Sequence, residues 1–143
     1  MTPAIAEQIC KLLNTQNQLS VNYTAAKVLK HFDRYLVRLG DDSQVVGVVE
    51  VKKVQWYQCE VDHLSVHPDA RGQGIAKTLL QDAEAKAKQL GARIAQCTIR
   101  VGNKESQGLF TANGYVATIT FLNQQNGNQV TVYQKVLMPE RKP

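Results

Sequence analysis

The stretch Arg71-Gly72-Gln73-Gly74-Ile75-Ala76-Lys77 holds the densest concentration of ligand-binding chemistry in the chain. Two glycines one residue apart stand where a predicted strand, Tyr57–His67, gives way to a strongly periodic predicted helix, Gly74–Leu90. Glycine permits positive φ and leaves no Cβ between backbone amides and a ligand. A helix N-terminus adds unpaired N–H groups and the positive end of a dipole. Together these form a seat for phosphate. Arg71 supplies a permanent cation at its mouth and Lys77 a second one within the helix. The Walker spacing is absent, because no Gly-x-x-x-x-Gly-Lys precedes a Ser or Thr. The dinucleotide fingerprint fails at its third glycine, where Lys77 stands. On these residues alone, a phosphate seat and a ligand-free turn both remain open.

A second group lies in the strand before that turn. Glu60 and Asp62 alternate on one face, and His63 takes the other if the strand is regular. Each is a candidate proton acceptor, and each could equally be a solvated strand residue. The apolar pattern changes phase between them: Cys59 and Val61 share one face, Leu64 and Val66 the other. A regular strand cannot switch its apolar face, because its side-chain period is two. One extra residue near Asp62–His63 repairs the pattern, so a β-bulge is expected there. The competing reading is a strand buried on both faces.

The elements that position these residues follow from periodicity. Helices are predicted over Pro3–Leu13, with Thr2 as cap, and over Tyr23–Phe32, with Asn22 as N-cap and Ala25, Val28, Leu29 and Phe32 inward. The polar segment Asn14–Asn22 between them reads as a loop. Strands Arg34–Leu39 and Gln44–Val54 form a hairpin around Gly40-Asp41-Asp42-Ser43, and Gly47 marks a bulge or a close backbone approach. Trp56 and Tyr57 sit at the next turn and are expected to pack in the core or at its rim. The helix Gly74–Leu90 turns Ile75, Leu79, Ala83, Ala87 and Leu90 inward and Lys77, Gln81, Glu84 and Lys88 outward, with Glu84 and Lys88 as a favourable i,i+4 pair and Gly91 as C-cap. Strand Arg93–Val101 follows, parallel to Tyr57–His67 because a helical crossover joins them. Then come a short helix, Asn103–Ala112, and two long strands, Tyr115–Leu122 and Gln129–Leu137, around an Asn126-Gly127 hairpin turn. The tail Pro139–Pro143 is expected to fray.

Composition bounds the rest. At 143 residues the chain fits a single domain, 1–143, without repeats or linkers. A chain of this size buries about 68–70% of its unfolded surface. The 43% hydrophobic content and mean hydropathy of −0.30 are those of a globular protein, and no apolar run approaches the roughly 20 residues of a membrane helix. Met1–Cys10 lacks the basic and apolar regions of a signal peptide. The three scattered cysteines, Cys10, Cys59 and Cys97, read as free thiols, with no metal site, in a reducing compartment. The expected localisation is cytoplasmic. The formal charge of +5 suits an anionic ligand, but no Lys/Arg block interleaves with aromatics, which weighs against a nucleic-acid partner.

Residues 71 to 76, read as Arg-x-x-Gly-x-Ala, resemble the acyl-CoA pyrophosphate loop of the GNAT N-acetyltransferase superfamily. Leu64-Ser65-Val66-His67-Pro68 is similar to the family's strand lead-in, and Asn103-x-x-Ser106-x-x-Leu109-Phe110-x-x-x-Gly114-Tyr115 resembles a second family motif. The resemblance covers roughly Val45–Leu137. It implies an α/β fold: a mixed, mainly antiparallel sheet flanked by helices and splayed at a bulged central strand. It implies acetyl transfer from acetyl-CoA, as co-substrate and without a metal, to an amine of a small molecule, a peptide N-terminus or a lysine. In that reading Leu64, Ser65 and Val66 pair with the pantetheine, and the amides of Gly72, Gln73, Gly74, Ile75, Ala76 and Lys77 hold the pyrophosphate with Arg71 beside them. Asn103 and Ser106 also contribute to cofactor binding, and Glu60 matches a general-base position. One departure stands out: Phe110 occupies the place where many members carry a tyrosine that protonates the leaving thiolate. Tyr115, Tyr133, Cys97 or water then remain as proton donors. A non-catalytic acyl-CoA-binding module is the alternative. The final hairpin also offers an edge for a homodimer.

Overall fold

Each periodic segment folds as its pattern dictates, with boundaries set by local caps. The computed structural model describes residues 1–16 and 22–138. Its helices are α1 (Pro3–Gln16), α2 (Ala25–Lys30), α3 (Ile75–Gln89) and α4 (Lys104–Ala112). Its strands are β1 (Tyr35–Leu39), β2 (Val45–Gln55), β3 (Gln58–Val66), β4 (Ile94–Arg100), β5 (Val116–Leu122) and β6 (Gln129–Val136). The strands form one sheet in the order β1-β2-β3-β4-β6-β5. β3 and β4 run parallel, whereas β1–β2, β4–β6 and β5–β6 are antiparallel. The expected mixed, mainly antiparallel α/β architecture is what the chain adopts.

Several boundaries differ from the pattern-based expectation, each for a local reason. α1 runs past Leu13 to Gln16. Asn14 stays in the helix because its amide serves the next segment instead of a turn: its Oδ1 accepts from Tyr23 N at 2.8 Å and its Nδ2 donates to Tyr23 O at 3.0 Å. The rest of the expected loop, 17–21, and the tail 139–143 lie outside the described residues. α2 is shorter than Tyr23–Phe32. Thr24, rather than Asn22, caps it, its hydroxyl accepting from Lys27 N at 3.2 Å. The chain leaves the helix at His31, so Phe32, expected inward, is 57% exposed in a 3₁₀ turn.

The contacts gather the chain into two compact units, Met1–Val51 with His63–Ala83, and Lys52–Asp62 with Glu84–Pro143. In the first, α1 and α2 bury Ala6, Ile9, Leu12, Leu13 and Val28 against Tyr35, Val45 and Val48 of the first two strands. Gly47, beside Val48 and therefore on the opposite face of β2, lets α3 approach closely. A Cβ there would stand 2.8 Å from Leu79 Cδ1 and 2.9 Å from Ile75 Cγ2. The β1–β2 register also slips beside it, with Arg38 facing Gly47 and Leu39 facing Val45. Both readings of Gly47, bulge and close approach, are realised.

In the second unit, β4 and β6 share a seven-pair antiparallel register from Ile94↔Val136 to Arg100↔Val130. The parallel β3–β4 register is Gln58↔Ile94, Cys59↔Ala95 and Glu60↔Gln96. Glu84 was expected to face solvent and pair with Lys88. Its side chain is instead 12% exposed, accepting from Lys135 Nζ at 2.8 Å and from the Tyr115 hydroxyl at 3.1 Å. Tyr115 is buried edge-on to Phe110, with centroids 4.9 Å apart. Leu90, expected inward, lies just beyond the end of α3 and is 39% exposed. Trp56, expected to pack in the core or at its rim, is 75% exposed.

Gly47→Val is expected to destabilise the fold by roughly 1–3 kcal/mol through overpacking against α3, seen as a lower denaturant midpoint at unchanged slope. Tyr115→Phe leaves one oxygen of the buried Glu84 carboxylate without its donor. A loss of about 1–3 kcal/mol is expected.

Candidate active site

The phosphate-seat residues occupy the turn between β3 and α3, in the first unit. Gly72 and Gly74 both adopt left-handed backbone, at φ 78° and 76°, and a Cβ at either would meet nothing within 4 Å. Their glycine identity therefore answers to backbone conformation, which an L side chain resists. The α3 ladder begins with Thr78 N donating to Gly74 O at 3.1 Å. The amides of Ile75, Ala76 and Lys77 thus belong to the helix's unpaired first turn. Gly72, Gln73, Gly74 and Lys77 are exposed, and Ile75 and Ala76 half-buried. The Arg71 guanidinium is exposed too, but one of its NH₂ groups donates to Gln16 Oε1 at the end of α1, at 2.7 Å. Its remaining donors keep the cationic role available.

The strand leading into this turn is irregular at the position where a bulge is expected, although Leu64 and Val66 are only half-buried and Ser65 is the buried residue. His63 has φ 55°, one of two non-glycine residues with positive φ among those described. Beyond it, His67 N donates to Val46 O of β2 at 2.8 Å. Strand alternation then turns the backbone groups of Ser65 toward β2 as well, and directs those of Leu64 and Val66 away from it. Ser65 is buried, and its hydroxyl donates to His63 O at 3.1 Å. Of the three pantetheine-pairing candidates, Leu64 and Val66 turn their backbone groups away from β2 and Ser65 turns its own toward it.

The break also builds a cluster the sequence pattern did not reveal. Glu50, 6% exposed in β2, accepts from the Tyr23 hydroxyl at 3.4 Å. Arg34 and His63 Nε2 each stand 3.9 Å from its carboxylate. The Tyr23 and His63 rings meet edge-on at 5.1 Å. Burial pushes the His63 pKa down, against the pull of Glu50 and with the help of Lys27, so the imidazole is neutral at neutral pH. The only signal in the sequence was a lone carboxylate inside the β-branched run of β2.

The remaining candidates lie in the second unit. Glu60 Oε1 accepts from Gln96 Nε2 at 2.7 Å, and Gln96 Oε1 accepts from Gln134 Nε2 at 2.6 Å. Burial raises the Glu60 pKa, against hydrogen bonds from Gln96 and Gln58 and the charge of Lys52. A carboxylate held this way is a stronger base than an exposed one. Asn103 caps α4, its Oδ1 accepting from Ser106 N at 3.3 Å, which leaves its Nδ2 outside the cap. Of the substitutes for a tyrosine at Phe110, Tyr115 is committed to Glu84. Burial, Glu84 and Cys97 push its hydroxyl far above the ordinary range. The Cys97 thiol is likewise pushed far up, by burial and by Glu60 and Asp62, and stays protonated.

The chain matches the acetyltransferase (GNAT) family over residues 6–115. An uncharacterized N-acetyltransferase in the lysA 3′ region of Bacillus methanolicus is 35% identical over 49 residues, 34% of this chain. The match spans 41% of that relative's length. Among solved structures, Ard1 from Thermoplasma volcanium superposes with a TM-score of 0.83 at 17% identity, covering 98% of this chain and 95% of that one. YncA from Salmonella typhimurium, a putative acetyltransferase solved with its cofactor acetyl-CoA, gives 0.82 at 18%, covering 100% and 94%. The ribosomal-protein-alanine N-acetyltransferase from Brucella melitensis gives 0.80 at 20%, covering 95% and 96%. At these identities the structures share the fold, and the family match spans most of the chain: the protein belongs to the GNAT acetyltransferase family.

Proposed function

We propose that the protein is an acetyl-CoA-dependent N-acetyltransferase that moves an acetyl group to a primary amine. The observation that carries this reading is the pair of left-handed glycines opening α3, with the unpaired amides of its first turn directly behind them. These amides and Arg71 suit a pyrophosphate. Leu64 and Val66 suit a pantetheine arm paired like an added strand, with Ser65 fixing the strand between them. Asn103 Nδ2, with Ser106 in the same first turn of α4, suits a second contact to the cofactor. Bound there, acetyl-CoA supplies the activated thioester.

Glu60 serves as the general base in this proposal. It removes a proton from the acceptor ammonium, the amine nitrogen bonds to the thioester carbon, the C–S bond breaks, and the second amine proton passes to the departing thiolate. Phe110 supplies no hydroxyl for that last transfer and Tyr115 is engaged elsewhere, so Tyr133, Cys97 or water carries it. The acceptor is a small-molecule amine, a peptide N-terminus or a lysine. β5, at the end of the strand order and exposed along its length, offers an edge to a second copy. Free thiols at Cys10, Cys59 and Cys97 fit the reducing cytoplasm. No helix among the described residues is long and apolar enough to cross a membrane.

Calorimetric titration with acetyl-CoA should show binding, and Gly72→Ala/Gly74→Ala should weaken it at least tenfold while the fold persists. Equal affinity in the variant would return the turn to a purely structural role. Free-thiol release against a panel of amines, peptides and lysine substrates tests turnover; binding without release from any of them would indicate an acyl-CoA-binding module. The rate is expected to rise with pH through the elevated Glu60 pKa. Glu60→Gln should remove that limb and lower kcat by about 10²–10⁴-fold. Charged Glu60 is disfavoured by burial, so its contribution to stability is present below the ordinary carboxylate pKa and lost as pH rises through the raised one. Glu60→Gln should therefore not destabilise the protein at neutral pH, which separates a lost base from a lost fold.

A further inference from the structure

Three side chains on different strands line up with the proposed base at one end. Glu60 of β3 stands opposite Gln96 of β4, and Gln96 stands opposite Gln134 of β6. Register partners point to the same face of a sheet, so the three form one row across three strands. The row lies at the last register pair of β3 with β4, where the ladder between these strands ends. Past Gln134 it reaches Val116 of the edge strand, whose side chain has no polar atom.

The hydrogen bonds of the row run in one direction. A carboxylate only accepts, so Gln96 must present its amide NH₂ to Glu60. Its Nε2 donates to Glu60 Oε1 at 2.7 Å. That turns the Gln96 carbonyl toward β6, where Gln134 Nε2 donates to Gln96 Oε1 at 2.6 Å. Gln134 thereby fixes which way the Gln96 amide faces. With Gln134 in place, a flip of that amide would set oxygen against oxygen at Glu60 and NH₂ against NH₂ at Gln134. Without Gln134 only the first mismatch would oppose the flip. Successive donors also polarise one another, which strengthens the bond at the charged end.

Few charges compete with this row. Gln58, buried on the same strand, also hydrogen-bonds the carboxylate, and Lys52 of β2 attracts it. Asp62 follows two residues along β3. Cys97 of β4 is kept protonated by burial and by the charges of Glu60 and Asp62. Lys135, beside Gln134 on β6, points to the opposite face and is bound to Glu84.

We infer that Gln96 and Gln134 are positioning residues of the acetyl transfer, a row of donors that holds the Glu60 carboxylate turned and charged for the amine proton. The inference rests on Glu60 being the base. Gln96 acts on the carboxylate directly, and Gln134 acts only through Gln96.

The test follows Glu60 by ¹³C NMR titration of the labelled full-length protein, its carboxylate resonance being the one lost in Glu60→Gln. Gln96→Met keeps the side-chain length and removes the donor. Burial then raises the Glu60 pKa with one lowering contact fewer, so the titration midpoint should move up. Gln134→Met should move it less, in the same direction, and should change nothing once Gln96→Met is present. The pH limb of kcat should follow. On its acid side Gln96→Met should lower kcat roughly tenfold, as loss of one hydrogen bond to a charged group implies. Above the limb the rate should recover, whereas a merely structural loss would lower it at every pH. Gln134 is half-buried and one strand further from Glu60, so Gln134→Met decides the matter alone should Gln96→Met not fold. An unmoved Glu60 titration in either variant overturns the inference, as does an equal effect of Gln134→Met with and without Gln96. The titration belongs to Glu60 whether or not it is the base. A titration that shifts while the kcat limb stays in place therefore removes the base reading, and with it the part of the row in the transfer.

Discussion

The close approach of α3 to β2 at Gly47 is the constraint on which most of the structure depends. Leu79 and Ile75 occupy the space a side chain at Gly47 would take. That contact sets where the first turn of α3 stands, and with it the row of unpaired amides behind Gly72 and Gly74. The close-packed face is continued by Leu80, Ala83 and Ala87, all fully buried. Small residues along this stripe let the helix lie near the strands, and the rigidity of such a contact keeps the helix N-terminus in place. Sheet packing thereby becomes site geometry.

The break at His63 has the complementary role. An uninterrupted strand would commit all of its backbone groups to its neighbours. His63 is held at positive φ, yet burial keeps its alternation through Cys59, Val61 and Ser65, and Leu64 and Val66, expected on a new apolar face, are half-buried with their backbone groups turned away from β2. A β-residue other than glycine held at positive φ costs of the order of 1–3 kcal/mol, and such a conformation persists only where its surroundings impose it. Here the Tyr23 ring and the Glu50 carboxylate flank the imidazole. The same residue that interrupts the regular strand backbone thus joins the buried polar cluster of the first unit.

Charge in this protein is arranged by position rather than by total. The +5 excess is modest, yet the buried carboxylates each have their partners: Glu50 has Tyr23 and Arg34, Glu84 has Lys135 and Tyr115, Glu60 has Gln96. Neutralised or enclosed in this way, they project little field.

The sequence by itself determined everything whose cause is local. Periodicity set the order and type of the elements, turn chemistry set the hairpin at Asn126-Gly127, and Thr2, Asn103 and Gly91 marked their helix ends. The change of apolar pattern between Val61 and Leu64 pointed to an irregularity near Asp62–His63, and His63 is the residue held at positive φ. The paired glycines marked the left-handed turn that opens α3, since that conformation is a property of the residue itself. Only the tertiary structure decided which distant groups meet. Glu84 abandons the helical neighbour four residues away for Tyr115 and Lys135, 31 and 51 positions distant. A buried carboxylate gains more from donors shielded with it than from an exposed lysine on its own helix. Such pairings depend on strand register and helix rotation, which local pattern leaves free and packing alone resolves.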